Sequence, residues 1–128
     1  MAKEANDLLA LVVEDEYDSV QMVSKILSFN GFHVQIAHNG YECIDLLETI
    51  EPHIIIMDLA LPKMDGWETL VNIRANPDTA HIPVVAITAY HSADVAEVAK
   101  TEGFDAYYPK PVNPTRFYDD VMKLIDPT

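Results

Sequence analysis

Five short apolar runs alternate with helical patterns along the chain. The first run covers residues 8–13, and after it apolar residues recur at helical spacing from Ser19 to Phe29, before Asn30 and Gly31. The same alternation repeats four more times. It predicts strands at 8–13, 32–37, 53–58, 82–88 and 105–108, and helices at 19–29, 41–50, 67 to about 76, 93–101 and 115–125.

The strands of this pattern are continuously apolar rather than alternating. Such runs are typical of parallel strands that are buried on both faces, and the intervening amphipathic helices would cover those faces. The pattern therefore predicts a doubly wound α/β fold with helices on both sides of a parallel sheet. At 128 residues we expect a single domain over residues 1–128, with its core at about 8–126.

Composition and charge narrow the function classes. The chain is 49% hydrophobic and 23% charged, which is a globular composition, and residues 8–13 are too few to cross a bilayer. Residues 1–7 lack a signal-peptide pattern, so we expect a cytoplasmic protein without membrane insertion. The net charge of −13 argues against direct nucleic-acid binding. The single cysteine, Cys43, excludes an internal disulfide and is predicted to be buried.

Polar side chains stand at the ends of the predicted strands. Strand one ends in Glu14 and Asp15, strand three in Asp58 and strand four in Thr88, and strand five leads into Lys110. The carboxyl ends of parallel strands share one edge of a sheet, which is where ligands bind in doubly wound folds. Carboxylates about 4 Å apart repel by roughly 4 kcal/mol at an effective dielectric near 20. A hard divalent cation such as Mg²⁺ would relieve that repulsion.

This set of groups also suggests a reaction. Asp58 lies centrally and could act as a nucleophile toward phosphorus, while Lys110 and Thr88 would contact the phosphate oxygens. Each residue has a simpler explanation when taken singly: acidic residues before a helix often cap it, and an aspartate after a strand often opens a turn. The coincidence of suitable groups at four strand ends favours a site.

Four segments together resemble the receiver domain of bacterial two-component response regulators, the CheY-like family. They are VVEDE at 12–16, IIIMDLALPKMDG at 54–66, ITAY at 87–90 and YYPKPV at 107–112. The resemblance covers almost the whole chain and is to the stand-alone, single-domain type. It implies a flavodoxin-like sheet of five parallel strands in the order 2-1-3-4-5.

The resemblance also implies a role for each matched position. Asp58 would be the phosphoacceptor, with Mg²⁺ held by Asp15 directly, by Glu14 through water and by the backbone carbonyl of Ala60. The Thr88 hydroxyl would turn toward the phosphoryl group, and the Lys110 ammonium would pair with it. Tyr107 would be the aromatic residue that swings inward on activation. The resemblance also implies that the Lys110-Pro111 peptide bond is cis. Two departures are visible: Glu14 stands where aspartate is more frequent, and Pro109 suits only an edge strand.

The implied function is that of a phosphoacceptor in a two-component or phosphorelay system. A histidine kinase or histidine phosphotransfer protein would act upstream, docking near residues 17–24, and a protein target would act downstream. Phe117 and Tyr118 are candidates for the output face, with core packing as the alternative for Phe117. Such a protein is not an enzyme on external substrates, because it catalyses only its own phosphorylation and dephosphorylation.

Two other classes are weighed against this function. Metal-dependent phosphatases that form an aspartyl-phosphate generally use a second acid two residues after the nucleophile, and that position here is Ala60. A pseudo-receiver that only binds partners would be favoured by the loss of Asp58, Thr88 or Lys110, all of which are present.

Overall fold

The computed structural model describes residues 7–126 and consists of five strands that alternate with five helices. In chain order they are β1 (Leu9–Val13), α1 (Tyr17–Phe29), β2 (His33–Ala37), α2 (Gly40–Leu46), β3 (Ile54–Asp58), α3 (Gly66–Ala75), β4 (Val84–Thr88), α4 (Ala93–Glu102), β5 (Ala106–Pro109) and α5 (Pro114–Ile125). All ten predicted elements are present, so the alternating pattern identified the architecture correctly.

The five strands form one parallel sheet in the order β2-β1-β3-β4-β5. Helices α2, α3 and α4 pack on one face, where Cys43, Leu70 and Ala99 are buried, and helices α1 and α5 pack on the other, where Leu27 and Val121 are buried. The predicted doubly wound fold and its strand order are therefore confirmed. Pro109 lies in β5 at the edge of the sheet, where its missing N–H removes no ladder bond on the open side.

The central strand β3 shows why these strands are apolar throughout. Ile54 and Ile56 point into the core on the side of α1 and α5, whereas Ile55 and Met57 point into the opposite core. All four side chains are fully buried. Alternate residues of a strand face opposite sides, so a strand covered on both faces needs an apolar residue at every position.

Most element boundaries differ from the predicted ones by a few residues, and two of these differences have a clear local cause. Helix α2 ends at Leu46 rather than at 50. The N–H groups of Glu48 and Thr49 bond three residues back, to the carbonyls of Asp45 and Leu46, so the chain continues as a tight turn instead of an α-helix. Strand β5 begins at Ala106 rather than at 105. Asp105 precedes the strand: its N–H donates to the Val84 carbonyl at 2.8 Å, and its side chain accepts the Val84 N–H at 2.8 Å.

The structure also tests the predictions for Cys43, Phe117 and a membrane-spanning helix. Cys43 is buried as predicted, and burial raises the pKa of its thiol to about 12. Phe117 is fully buried, so the core alternative holds and it cannot belong to an output face, while Tyr118 packs edge-on against Phe32. No helix in the described part of the chain combines the length and apolarity needed to cross a bilayer.

The Arg74 side chain forms hydrogen bonds that connect three chain segments at the amino-terminal edge of the sheet. Its guanidinium donates to the carbonyls of Ala80 at 3.1 Å, Ile82 at 2.6 Å and Gly103 at 3.1 Å, and to the Asp105 carboxylate at 2.9 Å. The planar fork of five N–H donors lets one side chain satisfy all four acceptors. This residue thereby connects α3 to the starts of β4 and β5.

We predict that Arg74→Met destabilises the domain by about 1–3 kcal/mol, because it leaves backbone carbonyls without their donor. Arg116→Met is the matched control, since Arg116 is exposed on α5. Urea denaturation measures both free energies of unfolding. An Arg74→Met value equal to that of the control would contradict this role.

Candidate functional site

Asp58 ends the central strand and stands beside the end of β1. Val13 pairs with Met57 in the sheet, so the next residues along, Glu14 and Asp58, are neighbours at the carboxyl edge. Both side chains are almost fully buried, at 1% and 4% exposure for the two residues. The parallel register thus brings together two carboxylates that lie far apart in the sequence.

The ammonium group of Lys110 lies between these two carboxylates. Its Nζ donates to Asp58 Oδ2 at 2.8 Å and is 2.6 Å from Glu14 Oε1. Burial alone would lower the pKa of Lys110, but the hydrogen bonds and charges of Asp58 and Glu14 outweigh it and raise the pKa. The lysine is therefore held as a cation that is shared by two acids. The Lys110-Pro111 bond that follows is cis, as predicted.

Glu14 is the most deeply buried ionisable group of this edge. Its Oε2 accepts the backbone N–H groups of Asp15 at 3.0 Å and Glu16 at 3.1 Å. Its Oε1 is buried and lies 2.6 Å from the Lys110 ammonium, but within residues 7–126 no contact of that atom has hydrogen-bond geometry. Burial, and then the Asp58 carboxylate, raise the pKa of Glu14 to about 7, although Lys110 and the Glu16 N–H act in the opposite direction.

The two acids carry more negative charge than one lysine neutralises. A buried carboxylate oxygen without a hydrogen bond and a second carboxylate beside it are oxygen donors of the kind that a hard divalent cation prefers. In residues 7–126, no three His, Cys, Asp or Glu side chains are already arranged to hold a metal ion. The donors thus fit Mg²⁺ chemically but are not preassembled, and the predicted ligand set stays a prediction.

Asp15 and Ala60 are the other two predicted metal ligands, and each is next to or near one of the two buried carboxylates in the sequence. Asp15 follows Glu14 directly and its side chain is exposed, so it is not part of the buried pair. The backbone N–H of Ala60 donates to Asp58 Oδ1 at 2.9 Å. With Lys110 on Oδ2, both oxygens of Asp58 are therefore held, and the orientation of the carboxylate is fixed. The sequence predicted the carbonyl of Ala60 as a ligand but not this role of its N–H.

Thr88 and Tyr107 lie on the two neighbouring strands. Thr88 is buried at the end of β4, and its hydroxyl accepts the Tyr90 N–H at 3.0 Å. Tyr107 is half-buried on β5, and its hydroxyl is 2.9 Å from Nδ1 of His91. Burial raises the pKa of Tyr107, partly offset by the Ser92 backbone. No spacing signal in the sequence links His91 to Tyr107.

Gly66 allows α3 to begin directly against the end of β3. Its N–H donates to the Leu59 carbonyl at 3.0 Å. A Cβ atom at this position would lie 2.6 Å from the carbonyl oxygen of Asp58 and 2.8 Å from the Cα of Leu59. Since both neighbours are backbone atoms, only glycine permits this approach. The glycine of the 54–66 segment therefore sets the path of the chain around Asp58.

Comparison with known proteins agrees with this geometry. The family model for the response regulator receiver domain matches residues 10–122. The chain belongs to the response regulator receiver domain family. This receiver is 36% identical over 104 residues to an uncharacterised 14.6 kDa protein from Leptolyngbya boryana, covering 81% of this chain and 79% of that protein. It is 33% identical over 101 residues to the response regulator MprA of Mycobacterium avium, covering 79% of this chain but only 43% of MprA.

Solved receiver structures have the same fold. A CheY-like response regulator receiver domain protein from Methanospirillum hungatei superimposes with a TM-score of 0.84 at 27% identity, covering 94% of each chain. The Mn²⁺-bound form of the response regulator Rcp1 superimposes with a TM-score of 0.75 at 28% identity, covering 94% of this chain and 90% of that one. Divalent cations therefore bind to at least one structural relative of this receiver.

We predict that Gly66→Ala lowers the free energy of unfolding by about 1–3 kcal/mol, because the added methyl group forces the backbone of Asp58 and Leu59 to move. Val71→Ala is the control in the same helix, since Val71 is 62% exposed and its loss leaves no cavity. Urea denaturation compares the two variants. A neutral or stabilising Gly66→Ala, as helix propensity alone would give, would disprove the close approach.

Proposed function

We propose that this receiver accepts a phosphoryl group onto Asp58 from a phosphohistidine of a histidine kinase or histidine phosphotransfer protein. The single observation that carries the proposal is the position of Lys110, whose ammonium bonds to Asp58 and contacts Glu14 at the carboxyl edge of the sheet. A carboxylate that only ended a strand would not need a partly buried cation and a backbone N–H on its two oxygens.

The transfer is a displacement at phosphorus. One carboxylate oxygen of Asp58 forms a bond to phosphorus, the N–P bond of the donor phosphohistidine breaks, and the electron pair stays on the imidazole nitrogen. The Asp58 carboxylate attacks as an anion and needs no general base. The acyl phosphate that results places new negative charge beside Lys110, which offsets it without a large movement.

Mg²⁺ is the cation that we assign to this reaction. Glu14, Asp15, Asp58 and the backbone carbonyl of Ala60 would hold it, and its charge would offset that of the phosphoryl oxygens. The fit rests on the oxygen donors of the site and on the buried Glu14 Oε1. Glu14 has a longer side chain than the usual aspartate, and it reaches both the backbone N–H groups after β1 and the Lys110 ammonium.

Phosphorylation would change the surface through Thr88 and Tyr107. The Thr88 hydroxyl is bonded to the Tyr90 N–H, so turning it toward a phosphoryl group at Asp58 exchanges one partner for another. A ligand shifts a conformational equilibrium only by its differential affinity for the two states. The output is contact with a protein target, because a net charge of −13 repels nucleic acid.

Incubation with Mg²⁺ and acetyl phosphate tests the proposal. Intact-protein mass spectrometry should show one labile adduct with the mass of a phosphoryl group. Asp58→Asn should abolish it, and Asp78→Asn should retain it, because Asp78 is exposed in the loop before β4 at the opposite edge of the sheet. Removing Mg²⁺ with a chelator should slow adduct formation by at least about ten-fold, the effect of about 1.4 kcal/mol on a barrier.

Other outcomes would favour other functions. Continuous release of phosphate from unrelated phosphoesters would indicate a phosphatase. The absence of an adduct under conditions where the protein is folded would indicate a partner-binding domain without phosphoacceptor chemistry. An adduct that survives Asp58→Asn would place the acceptor elsewhere and would contradict the assigned role of Asp58.

A further inference from the structure

The hydroxyl of Tyr107 is held by a histidine from the loop between β4 and α4. The distance from the Tyr107 hydroxyl to Nδ1 of His91 is 2.9 Å, and the two ring centroids are 5.5 Å apart with a tilt of 39°. Tyr107 pairs with Ala86 in the sheet, so the ring projects from an edge strand beside that loop. This hydrogen bond thus links the hydroxyl end of the Tyr107 side chain to the loop at residue 91.

The same loop is fixed at both of its ends by side-chain hydrogen bonds. At its start the Thr88 hydroxyl accepts the Tyr90 N–H at 3.0 Å, and at its end the Ser92 hydroxyl accepts the Val95 N–H at 3.1 Å and caps α4. His91 lies between these two anchors. Because His91 lies directly between Tyr90 and Ser92, we expect a rotation of Thr88 that releases the Tyr90 N–H to displace His91 as well.

We propose that His91 is a positioning residue that stabilises the arrangement in which the Thr88 hydroxyl accepts the Tyr90 N–H rather than facing a phosphoryl group on Asp58. It does so by holding the Tyr107 hydroxyl against the β4–α4 loop. This inference rests on the proposed phosphoacceptor function of Asp58 and concerns the regulation of that site. His91 touches neither Asp58 nor Lys110 through any contact found in residues 7–126, and it acts through the tyrosine and the loop.

The energetic reason is a difference between two states. A hydrogen bond made in only one arrangement adds to the free energy that the phosphoryl group must supply to reach the other. Removing either partner of the bond should therefore make the phosphoryl-binding arrangement more accessible. For one partly exposed hydrogen bond the expected change in equilibrium is about two- to ten-fold.

A double-mutant cycle isolates the bond between the two side chains. The four proteins are wild type, His91→Ala, Tyr107→Phe and the double variant. The rate constant of phosphorylation by acetyl phosphate is measured for each by intact mass, at one saturating Mg²⁺ concentration. We expect His91→Ala to raise the rate about two- to ten-fold, Tyr107→Phe to have a similar effect, and the double variant to show no further increase.

A conservative variant separates positioning from a general loss of packing. Asparagine can place a polar group near the position of the imidazole Nδ1, so His91→Asn should return the rate toward that of wild type. A rate for His91→Ala within error of wild type, effects of the two single variants that multiply in the double variant, or His91→Asn behaving like His91→Ala would each overturn the proposal.

A second readout does not depend on phosphorylation. In the unphosphorylated protein, the Tyr107 ring resonances are identified by their loss in Tyr107→Phe, and His91→Ala should shift them while His91→Asn shifts them less. Unchanged resonances would overturn the proposal even where the proposed function holds. Shifted resonances in a protein that forms no adduct would instead show that the contact exists and that the phosphoacceptor function fails.

Discussion

The ammonium of Lys110, shared by Asp58 and Glu14, is the interaction on which the site depends. Two buried carboxylates at neighbouring strand ends repel each other, and one lysine lowers that repulsion without removing the excess negative charge. The remaining charge makes the edge attractive to a divalent cation. Under the proposed function, the same lysine would also face the phosphoryl group, so that one side chain would compensate charge both before and after phosphorylation.

The fold makes this arrangement possible because the residues that pack the core and the polar residues of the site occupy different parts of each strand. The central strands are apolar on both faces as far as Met57, and polar groups begin only at the carboxyl edge. Gly66 then lets α3 begin against the backbone of Asp58 and Leu59. The core therefore fixes the positions of the strand ends, and the loops that follow can carry functional groups without weakening the core.

The sequence predicted those parts of the structure that follow from periodicity and from chain direction. Continuous apolar strands and amphipathic helices indicated the layers, and parallel strand ends indicated that Asp58 and Lys110 would meet. It could not predict contacts that depend on loop paths and rotamers. The Ala60 N–H on Asp58 and the bond from His91 to Tyr107 are of this kind, and so is the early end of α2, which a local turn at Leu46 determines.

The central claim is that the carboxyl edge binds a phosphoryl group on Asp58 with Lys110 and Thr88 as its protein partners. A crystal structure of the receiver with Mg²⁺ and beryllium trifluoride, which mimics a phosphoryl group, tests this most directly. The account predicts the adduct on Asp58, with the Lys110 ammonium and the Thr88 hydroxyl both within hydrogen-bond distance of its fluorine atoms. An adduct on another carboxylate, or one on Asp58 that Lys110 does not contact, would contradict it.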